Sequence, residues 1–531
     1  MDKIFYNGTI ITMEESTIYH CLHIKDGIIL SCGNEEVLNE QTKETELIDL
    51  QGKCMLPAFI DAHSHISALA QTLSLVPLQE TSSFDDIKRK LQEHLQNHSI
   101  AKENWLIGFG YDHNSLMEKE HPDKNLLDQV SKEIPIMITH TSGHMGVVNS
   151  KGLELLKIDR NSEDPVGGQI GRCQNTKEPN GYLEETAFFT LASVVQEKDQ
   201  TQLLEQLDQA QKVYLEHGIT TVQDGLTKKE DFALLKEMAR KDKWIVDVVS
   251  YIDLENNHDL IQEAAEYVRK YNHHLKIGGY KIILDGSPQG KTAWMLTPYK
   301  NEKTYRGYPS HQDKEVESFI MTSLKERLQL LAHCNGDAAS EQLVNSYLNV
   351  VQKRHFQDTC RPVMIHAQTV REEQLKKMKK LNMIPSFFVD HVYYWGDIHL
   401  QNLGLKRASR ISPVKTAIDM GLIYTFHQDT PVIAPDMLHT IWCSVNRKTK
   451  NGYLLGENER ISPYEALKAV TIYAAYQYFE ENKKGSIKPG KNADLVVLSD
   501  NPLTVAPDKI KEIEVLETWK DGRLVFQKKS M

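Results

Sequence analysis

No apolar run in this sequence reaches the roughly 18 residues needed to cross a membrane. Its opening segment, MDKIFYNGTIITM, has neither the long apolar core nor the small-residue cleavage site of a secretory leader. Cysteine is sparse: seven in 531 residues (21, 32, 54, 173, 334, 360 and 443), odd in number and never spaced C-x-x-C. That excludes a disulfide framework and a zinc ribbon, and fits free thiols in a reducing compartment. An excess of positive charge is also lacking, with 62 Lys and Arg against 73 Asp and Glu. No basic stripe points to nucleic acid, and no Lys/Arg-rich amphipathic segment points to a membrane surface. The expectation is a cytoplasmic globular protein that acts on a small molecule, with no nucleic-acid or membrane partner and a homodimer left open.

What is abundant is histidine, 22 in all, so a single one says little and placement decides. In LPAFIDAHSHI (56–66), Asp61, His63 and His65 stand at every second position after an apolar run. Period two is strand geometry and predicts that all three side chains share one face. Imidazoles and a carboxylate buried together are costly unless something binds them. The alternative is a histidine pair at the frayed end of an ordinary strand.

From residue 200 onward, short β-rich runs alternate with helix-like segments such as KKEDFALLKEMARKD and REEQLKKMKKLN. The runs are 218–225, 244–253, 277–286, 328–337, 362–368, 384–392 and 422–432. With the opening run they make eight, and eight βα units are the count of a TIM barrel. Nearly every run ends on polar residues: His63 and His65, Asp224, Asp253, Lys281 and Asp285, His333 and Asp337, His366, His391, Asp429. In a barrel those ends converge on the rim where active sites are built. Asp253 reads as a helix cap. Asp224 and Asp337, each beside a glycine, read as either turn or rim residues.

The termini differ. Residues 1–55 and 481–531 read as short strands and turns, and IKDGIILS and WKDGRLVF share an Asp-Gly hairpin signal. They are expected to pair into one β-domain, a stabilising cap. The barrel is then expected to comprise strand 1 in 56–67 and the remainder in 206–480. About 150 residues separate the first two barrel strands, too many for one connection. Residues 68–205 therefore read as an inserted α/β subdomain. Its elements are a helix in SFDDIKRKLQEHLQNHS, strands in NWLIGFGYD and EIPIMITHTSG, and a helix near LEETAFFTLASVVQEK.

His63, His65, Lys281, His333, His366 and Asp429 form a ligand set suited to zinc or another borderline divalent metal, one ion or two. Lys281 fits if carbon dioxide converts its amine to a bridging carbamate; otherwise it is an ordinary strand-end ammonium. Asp429 is the candidate proton shuttle, taking a proton from water and passing it to a leaving nitrogen. The alternative is a structural Asp capping the following helix.

In this order, LPAFIDAHSH, GFGYDHN, SGHMGVVNSKGLELL, GYLEE, GITTVQDG, YKIILDGSPQGKTA, HCNGDAA, IHAQ, HQDTPV and GSIKPGKNADLVVLSDNP make a specific pattern. The chain resembles the amidohydrolase superfamily over essentially its whole length, most closely the YtcJ-like branch, amidohydrolase family 3. The resemblance implies a TIM barrel, a composite β-sandwich from both termini, and a mono- or binuclear metal centre on the six residues above. It also implies that His144 orients or polarises a substrate carbonyl, against an ordinary loop histidine. Tyr111 and Asp112 are weaker pocket candidates. Arg447 either holds a substrate anion or lies exposed in a loop. Ser142, Gln428 and PQGKTAW depart from the family pattern, all at the expected pocket. The function expected is metal-dependent hydrolysis of an amide or other C–N bond, such as that of an N-substituted formamide or N-acyl amine. The alternatives are ester, lactone or cyclic-amide hydrolysis, or a regulatory protein that kept the fold.

Overall fold

The eight apolar runs are eight parallel strands in the computed structural model. They are β1 (Phe59–Ile60), β2 (Ile219–Thr227), β3 (Asp247–Asp253), β4 (Leu275–Ile283), β5 (Gln329–Cys334), β6 (Val363–His366), β7 (Ile384–Phe387) and β8 (Thr425–Phe426). Each pairs with its sequence neighbours, so strand order follows chain order from β1 to β8. Val, Ile, Leu and Tyr dominate them, as expected of strands covered on both faces. The sheet curls until its first and last strands meet at their C-terminal ends. There the His65 N–H donates to the Thr430 carbonyl at 2.9 Å. No ladder joins β8 to β1 among the described residues. Those are residues 2–529 apart from 16, 74, 98–103, 142, 144, 166–167, 189–199 and 358.

Connections between the strands carry helices, among them Lys229–Arg240, Asp313–Glu326, Asp337–Arg354, Glu372–Lys380 and His391–Leu403. His391, expected at the end of a strand, is instead the first residue of a helix, because β7 stops at Phe387. Ile60, Val249, Tyr251, Leu331, Val363, Ile365 and Ile384 form one apolar core with Ala474, Ala475 and Tyr478.

Two further sheets involve the termini. One joins Ile28–Gly33, Cys21–Lys25, Asp2–Tyr6 and Glu46–Asp49; the other joins Arg523–Gln527, Val515–Lys520, Leu495–Leu498, Cys54–Pro57, Thr9–Ile11 and Ile18–Tyr19. They share a core that includes Phe5, Leu22, Met55, Leu495 and Trp519. Both Asp-Gly pairs sit in two-residue hairpin turns with positive φ at each position: Asp26 49° and Gly27 83°, Asp521 48° and Gly522 71°. That is the turn whose twist matches the flanking strands. A Cβ on Gly27 would come within 2.9 Å of the Asp521 carbonyl, so the two turns pack backbone to backbone.

Residues Ala68–Gln209 form a second compact unit. Its six-stranded sheet runs Gly168–Arg172, Pro179–Glu185, Met145–Val148, Ile136–His140, Leu106–Tyr111, Val76–Pro77. Helix Phe84–Asn97 buries Ile87 and Leu91 against this sheet, four residues apart on one face. Each contributes about 1.5–3 kcal/mol of burial. Of the helix expected near residues 183–198, residues 186–188 are helical, Leu183–Glu185 is strand, and residues 189–199 lie outside the described ones.

Candidate metal centre

The C-terminal ends of β1, β4, β5, β6 and β8 bring all six expected side chains together. Asp429 Oδ1 lies 3.3 Å from His63 Nε2 and 3.2 Å from His65 Nε2. The Lys281 ammonium donates to His63 Nε2 at 3.0 Å. Asp429 Oδ2 is 3.9 Å from His366 Nε2, which in turn is 3.1 Å from His333 Nδ1. The tightest group is His63, His366 and Asp429, with ligand atoms all within 4.8 Å of one another.

The route to this geometry is not the expected alternation. Strand β1 stops at Ile60, and the chain bends at residues 62 and 63. The buried Asp61 carboxylate turns back to accept the His63 N–H at 3.2 Å and does not join the cluster. Burial pushes its carboxyl up to about 7. His366 (φ 71°) and Asp429 (φ 56°) both adopt the left-handed region. Non-glycine residues enter it at a cost, and such strain concentrates at functional sites.

Partners behind the cluster fix how its rings face inward. Gln223 Nε2 donates to the Ala62 carbonyl and the Tyr478 hydroxyl, both at 2.9 Å, so its amide oxygen must accept from His63 Nδ1 at 2.6 Å. His63 Nε2 therefore carries the lone pair, which accepts from the Lys281 ammonium with Asp429 Oδ1 3.3 Å away. His366 Nδ1 is 3.1 Å from His427 Nε2, and His427 Nδ1 is 2.9 Å from the Ser386 hydroxyl. When the His333 Nε2–H donates to the Gly286 carbonyl at 3.3 Å, its Nδ1 lone pair faces His366 Nε2. Sequence reasoning missed Gln223, His427 and Ser386. The one available signal was His427, two residues before Asp429 in HQD.

Burial, followed by the charge of Lys281, pulls the imidazole of His63 down to about 3 and that of His333 down to about 4. Both are neutral at pH 7, the form that ligates a metal. Burial would raise the Asp429 carboxyl, yet the surrounding imidazoles, His366 first, hold it well below the ordinary range. Burial pulls Lys281 down to about 8, leaving a fraction as free amine.

These residues fit a cation. Asp429 Oδ1 is buried with no hydrogen bond of good geometry; His65 Nε2 lies 3.2 Å away and the acceptor His63 Nε2 3.3 Å. Two acceptors this close repel unless a positive charge lies between them. Bonds of about 2.0–2.2 Å to zinc set neighbouring ligand atoms about 3.3 Å apart, matching the observed spacing.

Other expected site residues fall elsewhere. Asp224 accepts from the Ser67 N–H at 3.0 Å and the Thr227 hydroxyl at 2.7 Å, and Asp337 accepts from the Leu296 N–H at 2.8 Å. Both organise local backbone. Asp253 accepts from the Glu255 N–H within its turn. Asp429 does not cap the following helix, Met437–Asn446, whose cap is Asp436. Arg447 is neither exposed nor open to an anion: it is fully buried, donating to the carbonyls of Leu455, Ser412 and Ile411. The Gln428 amide turns away to the Thr440 hydroxyl at 2.6 Å. Tyr111 and Asp112 belong to the second unit. Ser142 and His144 lie outside the described residues. A cavity of about 1070 Å³ lies away from this cluster. It is lined by Asp247, Lys276 and Gln329, at the N-terminal ends of β3, β4 and β5.

Residues 46–526 match the amidohydrolase family. The chain is 27% identical to the YtcJ protein of Bacillus subtilis (strain 168), over 99% of this chain and 100% of that protein. It is 25% identical to an N-substituted formamide deformylase of Arthrobacter pascens, over 99% and 98% of the two. Among solved structures, an uncharacterized metal-dependent hydrolase from Pyrococcus horikoshii OT3 shares the fold. Its TM-score is 0.77 at 24% identity, covering 96% of this chain and 99% of that one.

Proposed function

This chain belongs to the amidohydrolase family, and from that premise we propose that it hydrolyses the C–N bond of a small amide with a divalent metal, zinc being best suited to the ligands. The observation that carries the reading is the convergence of His63, His366 and Asp429, whose ligand atoms all lie within 4.8 Å of one another. In this reading His63, His65, His333, His366 and Asp429 would hold one or two ions, and Lys281, as a carbamate, would supply a further anionic ligand. The eight strands then act as a (β/α)8 barrel presenting the centre at its rim, with the two terminal sheets as a sandwich beside it.

A bound ion would polarise the substrate carbonyl and lower the pKa of the attacking water. The protein's own work falls to Asp429. Held ionised, its carboxylate accepts the proton that water loses as the new C–O bond forms. It then delivers that proton to the nitrogen as the C–N bond breaks, giving an acid and an amine. Gln223 and His427 keep the His63 and His366 rings turned inward throughout. Free amine at Lys281 is the form that adds carbon dioxide, losing one proton to become an anion.

N-substituted formamides are the first substrates to test, supported by similarity to the deformylase of Arthrobacter pascens. The experiment is a panel of formamides, N-acyl amines, cyclic amides and esters given to metal-replete protein, with acid and amine products quantified. Amine release that disappears on chelation and returns with Zn²⁺ is expected. Turnover of esters or lactones alone would overturn C–N specificity, and no turnover of any of them would favour a binding role.

A further inference from the structure

The second unit contains a ligand triangle of its own. Strands Leu106–Tyr111 and Ile136–His140 are parallel neighbours, and their register sets Tyr111 beside His140. The chain leaving the first strand supplies Asp112 and His113, and the end of the second supplies His140. His113 Nδ1 is 3.2 Å from His140 Nε2, His140 Nε2 is 3.5 Å from Asp112 Oδ1, and His113 Nδ1 is 3.9 Å from the same oxygen. Two sides are near the roughly 3.3 Å between neighbouring ligands around a tetrahedral zinc ion, and the third is somewhat longer.

We propose that Asp112 Oδ1, His113 Nδ1 and His140 Nε2 form a second site for a divalent transition metal of the zinc class.

Two imidazole nitrogens and one carboxylate oxygen are a borderline donor set that favours such ions over magnesium or calcium. The groups are also held in place. The Asn114 N–H donates to Asp112 Oδ1 at 2.9 Å. The His121 ring stacks on His113 with centroids 4.0 Å apart, and His121 Nδ1 hydrogen-bonds the Tyr111 hydroxyl at 3.0 Å. His113 is partly exposed, with a side-chain accessibility of 27%, so an ion can reach the triangle from solvent. The triangle shares no residue with the cluster at the strand ends of the first unit, so either site can fail without the other.

The test uses the full chain stripped with a chelator and titrated with Co²⁺, counting bound equivalents and following the visible ligand-field absorption. His113→Gln and Asp112→Asn are each expected to lose one equivalent and the matching part of the spectrum while circular dichroism stays unchanged. Wild-type uptake in both folded variants would overturn the site. Should either variant misfold, zinc-edge anomalous diffraction from wild-type crystals soaked in Zn²⁺ decides. A peak about 2.0–2.2 Å from all three atoms supports the site, and its absence overturns it.

Discussion

The two ends of the eight-stranded sheet both bury ionisable groups, to opposite effect. At the N-terminal ends, Lys276, Lys484 and Lys520 meet Asp247, Glu480 and Asp494. Lys520 reaches Asp247 and Asp494 at 3.0 Å each, and Lys484 reaches Glu480 at 2.8 Å. Three ammonium groups meet three buried carboxylates, with Asp521 and His274 at the edge of the network, so the chain largely neutralises itself. At the C-terminal ends, neutral imidazoles crowd around the Asp429 carboxylate, with His63 Nε2 fixed as an acceptor beside it. Of the candidate ligands there, only Lys281 brings positive charge, and it is spent on His63. A balanced network holds a fold together; an excess of inward lone pairs is what a metal ion completes.

The largest expected effect removes the charge that would take the proton. Asp429→Asn should lower turnover of any amide substrate by roughly 10²–10⁴, with melting temperature little changed. Near-normal turnover per metallated molecule would make Asp429 a purely structural residue. Next, Asp247→Ala leaves Lys484 and Lys520 short of a partner and should cost about 3–5 kcal/mol in denaturant unfolding. Turnover per folded molecule should be kept, and loss of turnover without loss of stability would break the contrast between the ends.

Acid should separate the ends next. Folded His63 and His333 titrate far below the roughly 6.5 of an unfolded imidazole. Between these values the unfolded chain binds more protons, so stability is present above pH 6.5 and lost as pH falls. At pH 5 the loss is on the order of 2 kcal/mol for each buried imidazole. The Asp247 carboxyl, which burial would raise, is held well below its ordinary value by Lys484 and Lys520. Its contribution persists at pH 5 and fails only below the carboxylate range. Unfolding free energies that are flat from pH 7 to 5 would contradict this order. The smallest effect is Gln223→Leu, which frees the His63 ring to turn. Metal affinity should fall by about 10–100-fold in a competition titration, with the fold kept; unchanged affinity would mean that Gln223 does not position the ring.

How much of this the sequence carried follows from what each residue depends on. The parallel strands were legible because each is an apolar run ending in polar residues. The six clustered side chains were legible because they stand at those ends. The hairpins were legible because Asp-Gly can take positive φ at both turn positions. Partners fixed only by the folded sheet were not. Gln223 meets His63 across 160 residues, and nothing local marks it. Arg447 looked like a loop arginine, yet it caps a helix at φ 50° with its guanidinium sealed under three carbonyls. The alternation of Asp61, His63 and His65 suggested a shared face, but the backbone bends after Ile60, and only the two histidines reach the cluster.

Zinc-edge anomalous diffraction from metal-replete crystals of the full chain tests the central claim most directly. A peak about 2.0–2.2 Å from both His63 Nε2 and an Asp429 oxygen is the predicted result. Metal-replete crystals with no peak there, and Lys281 still donating to His63 Nε2, would contradict it.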